Sequence, residues 1–330
     1  MRYQGLENKR SQCGGTMSKR DEPAVDKALT PRHGVSRGGQ PLSYNRAPAA
    51  DLAPWIAWLY VTVVDAPADY RLECGLFNDV SVFRFQIKGE WTAQTADGPM
   101  ALGRSALLFG PQSHRMPVTV TGSFVSIGMA LRPGTGHAML GAKTADLIDR
   151  IVTCDELGLP GNALLAQLKD DGSPEEWLQV LETMIRQVAS DKGGALPDEV
   201  TSRFEALALA DPSRPVADFA TACGITQRQL ERIVSRDFGM SPKQQLRRAR
   251  ALDMAAQLRG VGDADEADEV ALRFYDQSHM TREFTQLFGM SPGQFRATPQ
   301  PLLTLAIESR QAHRLEAIER LAPGAKRPWE

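Results

Sequence analysis

The chain has 330 residues, of which 42% are hydrophobic and 24% charged, and its formal net charge is −2. Such a composition is typical of a folded protein with a full core and room for two domains, and the near-neutral charge favours no particular partner. No apolar run approaches the roughly 18–20 residues of a membrane helix, and the first residues show no apolar export signal, so we expect a cytoplasmic protein. The four cysteines form no CxxC pair, which predicts reduced thiols rather than a zinc ribbon or redox pair.

The elements change character along the chain. Residues 1–45 hold few large apolar residues and are predicted to be a disordered tail, with Met17 as an alternative start. Within 46–195, stretches such as VSVFRFQI and VTVTGSFVSIGMAL predict strands, whereas ADLIDRIV, GNALLAQL and PEEWLQVLETMIRQVA predict helices. SDKGGALPD (190–198) predicts a linker before an all-α region. The predicted fold class is therefore α+β, with an N-terminal β-barrel or sandwich followed by helices.

The sequence FGMSP occurs twice, at 238–242 and 288–292, fifty residues apart. In each copy Gly stands where a helix ends, Ser is a helix N-cap and Pro occupies the first helical position. Gln244 and Gln294 complete a capping box three residues after each Ser. Each copy therefore predicts a turn that ends one helix and begins another.

The helix before each turn has one apolar face and one polar, arginine-bearing face. These helices are predicted over Gln227–Asp237 and Gln277–Leu287, and a third, Pro242–Leu258, joins them. A helix with such a polar face, held by a preceding helix, fits the DNA major groove. The joining helix spans roughly 25 Å, which can place two reading helices about one DNA turn, roughly 34 Å, apart.

Residues 199–297 resemble the DNA-binding domain of the AraC family of bacterial transcription regulators. The segments that carry the resemblance are CGITQRQLERIVSRDFGMSPKQQLRRARALDMA and DQSHMTREFTQLFGMSPGQF. The resemblance implies two helix-turn-helix units whose reading helices enter adjacent major grooves of double-stranded DNA. The base-reading candidates, which match by position, are Arg228, Glu231, Arg232, Gln277, Ser278, Thr281 and Arg282. The phosphate-contact candidates are Gln227, Lys243, Arg247, Arg248 and Arg250.

The second unit departs from the family pattern before its reading helix. It lacks the glycine of the usual turn, so we expect a tighter turn with Asp276 as N-cap. The two units also differ in charge, because residues 201–250 hold nine Lys and Arg against five Asp and Glu, and residues 251–300 hold four against eight. This asymmetry predicts that the first unit holds DNA phosphates more firmly than the second.

Residues 46–195 resemble, more weakly, the cupin-like sensing domains of some AraC regulators. The resemblance is carried by DLAPWIAWLYV and FGPQSHRMPVTVTGSFVSIGMALRPG, and it implies a small-molecule effector in the barrel mouth. The polar effector-binding candidates are His114, Arg115, Arg132 and His137. The histidines stand apart from one another and no HxH cluster exists, so we predict no metal and no cofactor. Three aromatic residues near the start of this domain are expected to be core: Trp55, Trp58 and Tyr60.

The last segment, 298–330, contains an amphipathic helix predicted at 301–321. Packing of this helix on the DNA-binding domain is favoured over packing on a second copy of the chain. A homodimer and a contact with RNA polymerase are both compatible with the family resemblance, and no membrane contact is expected.

Two other function classes compete with a sequence-specific regulator. One is a cupin-like enzyme with a helical accessory domain, against which stand the absence of a GxSxG motif, a phosphate loop and a metal cluster. The other is a non-specific architectural DNA binder, which the modest charge of the helical region disfavours.

Overall fold

The structure is a computed structural model that describes residues 22–36, 38–262 and 277–321. Its N-terminal half is built on one antiparallel sheet of nine strands in the described chain. The strands are β1 (Thr30–Pro31), β2 (Tyr44–Arg46), β3 (Ile56–Asp65), β4 (Arg71–Leu76), β5 (Val82–Thr95), β6 (Gly98–Leu102), β7 (Ser105–Phe109), β8 (Met116–Leu131) and β9 (Ile151–Thr153). They lie in the order β1-β3-β8-β5-β7-β9, with β2 on β3, β4 on β8 and β6 on β5.

The three central strands alternate between an apolar and a polar face. Side chains that point to one face pack with α3 into a core that includes Leu59, Phe85 and Ile127. The other face carries polar side chains in register, since Tyr60 and Arg84 both lie opposite Gly128. A Cβ atom at Gly128 would meet the Tyr60 ring, so this position has room only for glycine unless the ring moves.

The described chain also contains ten α-helices, most of which follow the strands. They are α1 (Thr135–Leu140), α2 (Gly161–Gln167), α3 (Pro174–Asp191), α4 (Glu199–Ala210), α5 (Val216–Ala222), α6 (Gln227–Phe238), α7 (Pro242–Leu258), α8 (Gln277–Phe288), α9 (Pro292–Ala297) and α10 (Pro301–Leu321). The α+β prediction is confirmed, with strands before the helical region. In the described segments no helix combines the length and the apolar character that crossing a membrane requires.

One predicted helix is absent. ADLIDRIV forms a 3₁₀ turn at Thr144–Leu147 and then strand β9, which pairs with β7. Asp149 has a φ of 57°, a left-handed conformation that cannot continue a right-handed helix. The pairing with β7 therefore overrides the local helical periodicity.

Residues 1–45 were predicted to be a disordered tail, of which 1–21 and position 37 lie outside the described residues. The structure instead places 22–36 and 38–45 against the rest of the molecule. The guanidinium of Arg259 on α7 holds this segment by donating to the carbonyl of Ala24 at 2.6 Å and the Gln40 side chain at 2.8 Å. The backbone N–H of Ala24 also donates to the Arg296 carbonyl at 2.8 Å. Hydrogen bonds to a buried cation thus add to the apolar contact that Leu29 makes with the core.

Helix α10 packs on both halves of the molecule. Its first turns lie over the polar face of the sheet, where Leu302 and Leu305 are buried. Its later turns pack against α4, where Arg314 donates to the Leu209 carbonyl at 2.6 Å. The helix therefore packs back on the DNA-binding region, as favoured from the sequence, and it also covers the N-terminal sheet.

Candidate nucleic-acid interface

The first candidate reading helix is α6. A capping box between Thr226 and Gln229 starts the helix, and Leu230 and Val234 are fully buried against α4 and α5. The opposite face lies in solvent, as the sequence periodicity predicts. The exposed side chains on that face include Arg228, Glu231 and Arg232.

The second candidate reading helix is α8. Its buried side is aromatic, with the Phe284 and Phe288 rings stacked at 4.1 Å and Phe295 of α9 packed edge-on against both. Thr281 and Arg282 are exposed on the other side. The side chains of Gln277 and Ser278 and the predicted cap Asp276 lie outside the described residues.

Both FGMSP turns have the geometry that the sequence predicts. Gly239 has a φ of 74° and Gly289 a φ of 71°, the left-handed region that favours glycine. Ser241 and Ser291 each accept a hydrogen bond from the backbone N–H of a glutamine three residues on, which completes a capping box in each turn. Identical turns therefore end the two candidate reading helices in the same way.

The phosphate candidates occupy different environments. Gln227 and Lys243 are exposed, and the Gln227 amide donates to Glu231 at 3.1 Å. Arg247 and Arg250 of α7 instead form ion pairs with Glu283 of α8, at 3.1 and 3.6 Å. These two arginines therefore hold the second candidate reading helix against the joining helix.

Arg248 lies far from the predicted phosphate position. Its side chain is buried and donates to the carbonyls of Gln112 and Asp79, both at 2.7 Å, in loops of the N-terminal domain. Burial lowers the pKa of the guanidinium to about 10. In this arrangement Arg248 joins the two halves and has no access to DNA.

The N-terminal domain contacts the end of each reading helix. The backbone N–H of Arg115 donates to the Leu287 carbonyl at 2.7 Å, and Phe77 packs edge-on against Phe288 at 5.1 Å. At the other turn, a Cβ on Gly239 would lie 3.0 Å from the Thr144 carbonyl oxygen. A cavity of about 240 Å³ lies beside these contacts, and it is lined by Ser113 and His114 of the N-terminal domain, Met240 of the first turn and Leu287 at the end of α8.

The four effector candidates lie in different surroundings. His114 and His137 are exposed, and they lie near opposite ends of β8. The Arg115 side chain reaches Gln300 at 3.4 Å, and burial lowers the pKa of its guanidinium. Arg132 is buried and bonds to the Ala53 carbonyl at 2.6 Å and to Glu316 of α10 at 3.2 Å. Both arginines therefore connect the sheet domain to the C-terminal half.

A cavity that the sequence prediction missed lies between the polar sheet face and α10. Trp58 and Tyr60, expected to be core, line it together with Arg84. The sequence signal was the alternation in IAWLYVTVVD and VFRFQI, where a polar or amphipathic side chain recurs every second residue. Among the described His, Cys, Asp and Glu residues no group could hold a metal ion.

Residues 219–298 match the family described as "Helix-turn-helix domain". This match covers the first unit from α5 onward and the second unit through α9. Together with the paired turns and exposed helix faces, it shows an AraC-type helix-turn-helix domain at residues 219–298, and such a domain is typical of DNA-binding transcription regulators. Residues 44–153 match a second family, a "Domain of unknown function (DUF6597)".

Three solved structures illustrate the wider similarity. Unsaturated fatty acid-bound ToxT from Vibrio cholerae is 12% identical, with 77% of this chain and 98% of that chain covered, at a TM-score of 0.43. An apo ToxT variant from the same strain is 12% identical, with 73% and 98% covered, at a TM-score of 0.44. The AraC-like transcriptional activator CuxR is 13% identical, with 59% and 76% covered, at a TM-score of 0.28. No curated protein matches the chain.

Proposed function

We propose that the protein is a sequence-specific bacterial transcription regulator that acts in the cytoplasm, and whose helices α6 and α8 read adjacent major grooves. The observation that carries the proposal is the pair of exposed polar helix faces, each ended by the same capped turn. Arg228, Glu231 and Arg232 are the proposed base-reading residues of α6. Thr281 and Arg282 are those of α8, with Gln277 and Ser278 at its start.

The phosphate contacts of this proposal are fewer than the sequence alone indicates. Lys243 is exposed at the start of α7, whereas Arg247 and Arg250 are engaged with Glu283 and Arg248 is buried. Part of the positive charge of the first unit is therefore engaged in contacts within the protein and does not face DNA. We still propose that the first unit holds phosphates more firmly, through Lys243 and Gln227.

A site selected from random DNA with the purified chain tests the proposal. Arg282→Ala and Arg232→Ala should each cost about 1–3 kcal/mol in binding and relax the preference at one base position. Lys243→Ala should weaken all sequences alike and lower the salt dependence of binding. Affinities on the selected site and on single-base variants, measured at several salt concentrations, separate these outcomes.

A matched control comes from an arginine away from the reading faces. Arg186 on α3 is exposed, forms an ion pair with Asp51 and lies outside the helix-turn-helix units, so Arg186→Ala should leave both affinity and base preference unchanged. The base-reading assignment is wrong if Arg282→Ala and Arg232→Ala behave like Lys243→Ala.

The N-terminal domain supplies the proposed regulation. It contacts the first FGMSP turn at Gly239 and the second at Phe288, so a change in its shape would alter the relative placement of α6 and α8. A small-molecule effector bound in the sheet domain is the proposed cause of such a change. Contacts with RNA polymerase or with a second copy stay predictions.

A further inference from the structure

Arg84 lies buried at the centre of the polar sheet face, in the cavity beneath α10. Its side chain is 7% exposed, and no carboxylate of the described residues forms an ion pair with it. The Tyr60 and Phe109 rings lie 5.4 and 5.1 Å from the guanidinium carbon. A buried cation without a carboxylate partner is costly, and rings compensate for it only in part.

The polar groups around Arg84 are short of acceptors. The Arg84 Nε–H and the Asn78 amide nitrogen are buried and meet no acceptor among the described residues. The one hydrogen bond between these two side chains is long, 3.5 Å from Nη2 of Arg84 to Oδ1 of Asn78. The unfilled positions on Arg84 and Asn78 are therefore donors, and an ionised carboxylate offers only acceptors. The Gln86 amide and the Tyr60 and Ser126 hydroxyls on the same sheet face also lack partners among the described residues.

Most of the remaining cavity wall is apolar, although the hydroxyl groups of Ser43, Thr62, Ser126 and Ser309 also line it. The apolar part is formed from side chains of the sheet and of α10: Trp58, Leu76, Trp91, Phe124, Leu302 and Leu305. A ligand that pairs with the donors of Arg84 and Asn78 and also packs on the apolar wall carries a single acidic group at one end. Its other end is an apolar or aromatic body. We propose that the protein binds a small monocarboxylate of this kind, with its carboxylate on Arg84 and Asn78 and its body under α10.

Helix α10 must move for this ligand to enter. The cavity has a volume of about 30 Å³, and one water needs roughly 10–15 Å³ on the same measure, so the space suits about two waters. The cover is formed by Leu302, Leu305 and Ala306 of α10. Ligand binding therefore competes with the first turns of α10 for the polar sheet face.

The same helix connects this face to the DNA-binding half. Arg310 of α10 donates to Asp253 of α7 at 2.6 Å and to Asp79 of the sheet domain at 2.9 Å. A displaced α10 would disturb the helix that joins the two reading units. This consequence rests on the proposed function, whereas the carboxylate site itself does not.

The test uses the full chain and four probes: benzoate, octanoate and their neutral amides. Calorimetric titration should detect at least one carboxylate binding the wild type, and the matching amide should bind at least about ten-fold more weakly because it lacks the charge. Arg84→Met should abolish the difference between acid and amide. Arg71→Met, at an exposed arginine of the same sheet, should keep it.

Further variants keep the test decisive if Arg84→Met fails to fold. Arg84→Lys retains the charge but loses the planar donor pair, so it should bind the acid more weakly than wild type. Ala306→Leu fills the cavity from the α10 side without changing any charge, and it should block both acid and amide. The proposed site is wrong if the Arg84 variant that folds and Ala306→Leu both bind the acid as tightly as the wild type does. It is also wrong if neither acid binds the wild type.

DNA binding separates this inference from the proposed function. Without a probe, the Arg84 variants that fold should bind the selected DNA site as tightly as wild type, because Arg84 lies away from α6 and α8. Addition of the binding carboxylate should change the DNA affinity of wild type and leave that of the Arg84 variants unchanged. If DNA binding is intact but the carboxylate does not change it, this inference is wrong and the proposed function stands. If the protein shows no sequence-specific DNA binding, the proposed function is wrong.

Discussion

His313 of α10 lies in a buried cluster of charged groups between the two halves of the molecule. Its imidazole contacts Glu205 of α4 at 3.2 Å and Glu316 at 3.4 Å, and the ring packs on Trp58 at 5.1 Å. Burial lowers the pKa of His313, but the two carboxylates more than offset that effect and raise the pKa above its usual range. Arg132, on the far side of Glu205, opposes the rise.

This environment predicts that stability falls as pH rises. A pKa that is raised in the folded state contributes stability fully below the unfolded pKa, about 6.5, and loses it as pH rises through the folded pKa. The free energy of unfolding in urea should therefore be lower at pH 8 than at pH 6. His313→Gln should flatten this pH dependence, whereas His137→Gln, at an exposed histidine, should not. An unchanged slope in His313→Gln would show that another group carries the effect.

The roles of individual arginines could be predicted only where local periodicity decides them. The exposure of Arg228 and Arg232 follows from the apolar stripe of α6. The burial of Arg248 could not be predicted from the periodicity of α7. Its partners, the carbonyls of Gln112 and Asp79, come from loops more than a hundred residues earlier in the chain. Arg84 was missed for the same reason, since its burial depends on α10.

At the scale of elements, the two FGMSP turns are alike in backbone but not in surroundings. Gly239 packs against the 3₁₀ turn of the N-terminal domain, where an added Cβ would lie 2.9 Å from Ile148 and 3.0 Å from the Thr144 carbonyl oxygen. An added Cβ at Gly289 would meet nothing within 4 Å. The pair therefore separates the cost of backbone strain from the cost of contact with the N-terminal domain.

Alanine at each turn measures the two costs. Gly289→Ala should destabilise the protein by about 1–2 kcal/mol, the cost of a left-handed residue with a Cβ atom. Gly239→Ala should cost about 1–3 kcal/mol more, because the Cβ also pushes against the 3₁₀ turn. Urea unfolding of both variants against wild type provides the measurement. Equal losses would mean that the N-terminal domain does not press on the first turn.

The elements that sequence reasoning predicted best are those fixed by neighbouring residues. The capping boxes at Ser241 and Ser291 are confirmed. They could be predicted because three or four adjacent positions determine them. ADLIDRIV and residues 22–45 were predicted wrongly, because pairing with β7 and the hydrogen bonds of Arg259 are made with distant parts of the chain.

At the scale of the whole molecule, the two halves are interlocked rather than adjoining. The sheet domain reaches both reading helices through Arg115 and the 3₁₀ turn, and α10 returns from the DNA-binding half to cover the sheet. The order of the two regions was predictable from composition and motif. Their mutual burial was not, because neither half shows from its own sequence which face the other covers.

The segment that joins the halves consequently carries little of their association. It runs between Asp191, the last residue of α3, and Glu199, the first of α4, and Leu196 within it is 62% exposed. A protease site placed at 193–196 should be cut without release of either piece, and the nicked protein should elute as one species until denaturant is added. Two separate species under native conditions would contradict the interlock. The two fragments, when expressed from separate genes, should therefore associate into one folded protein without the peptide connection.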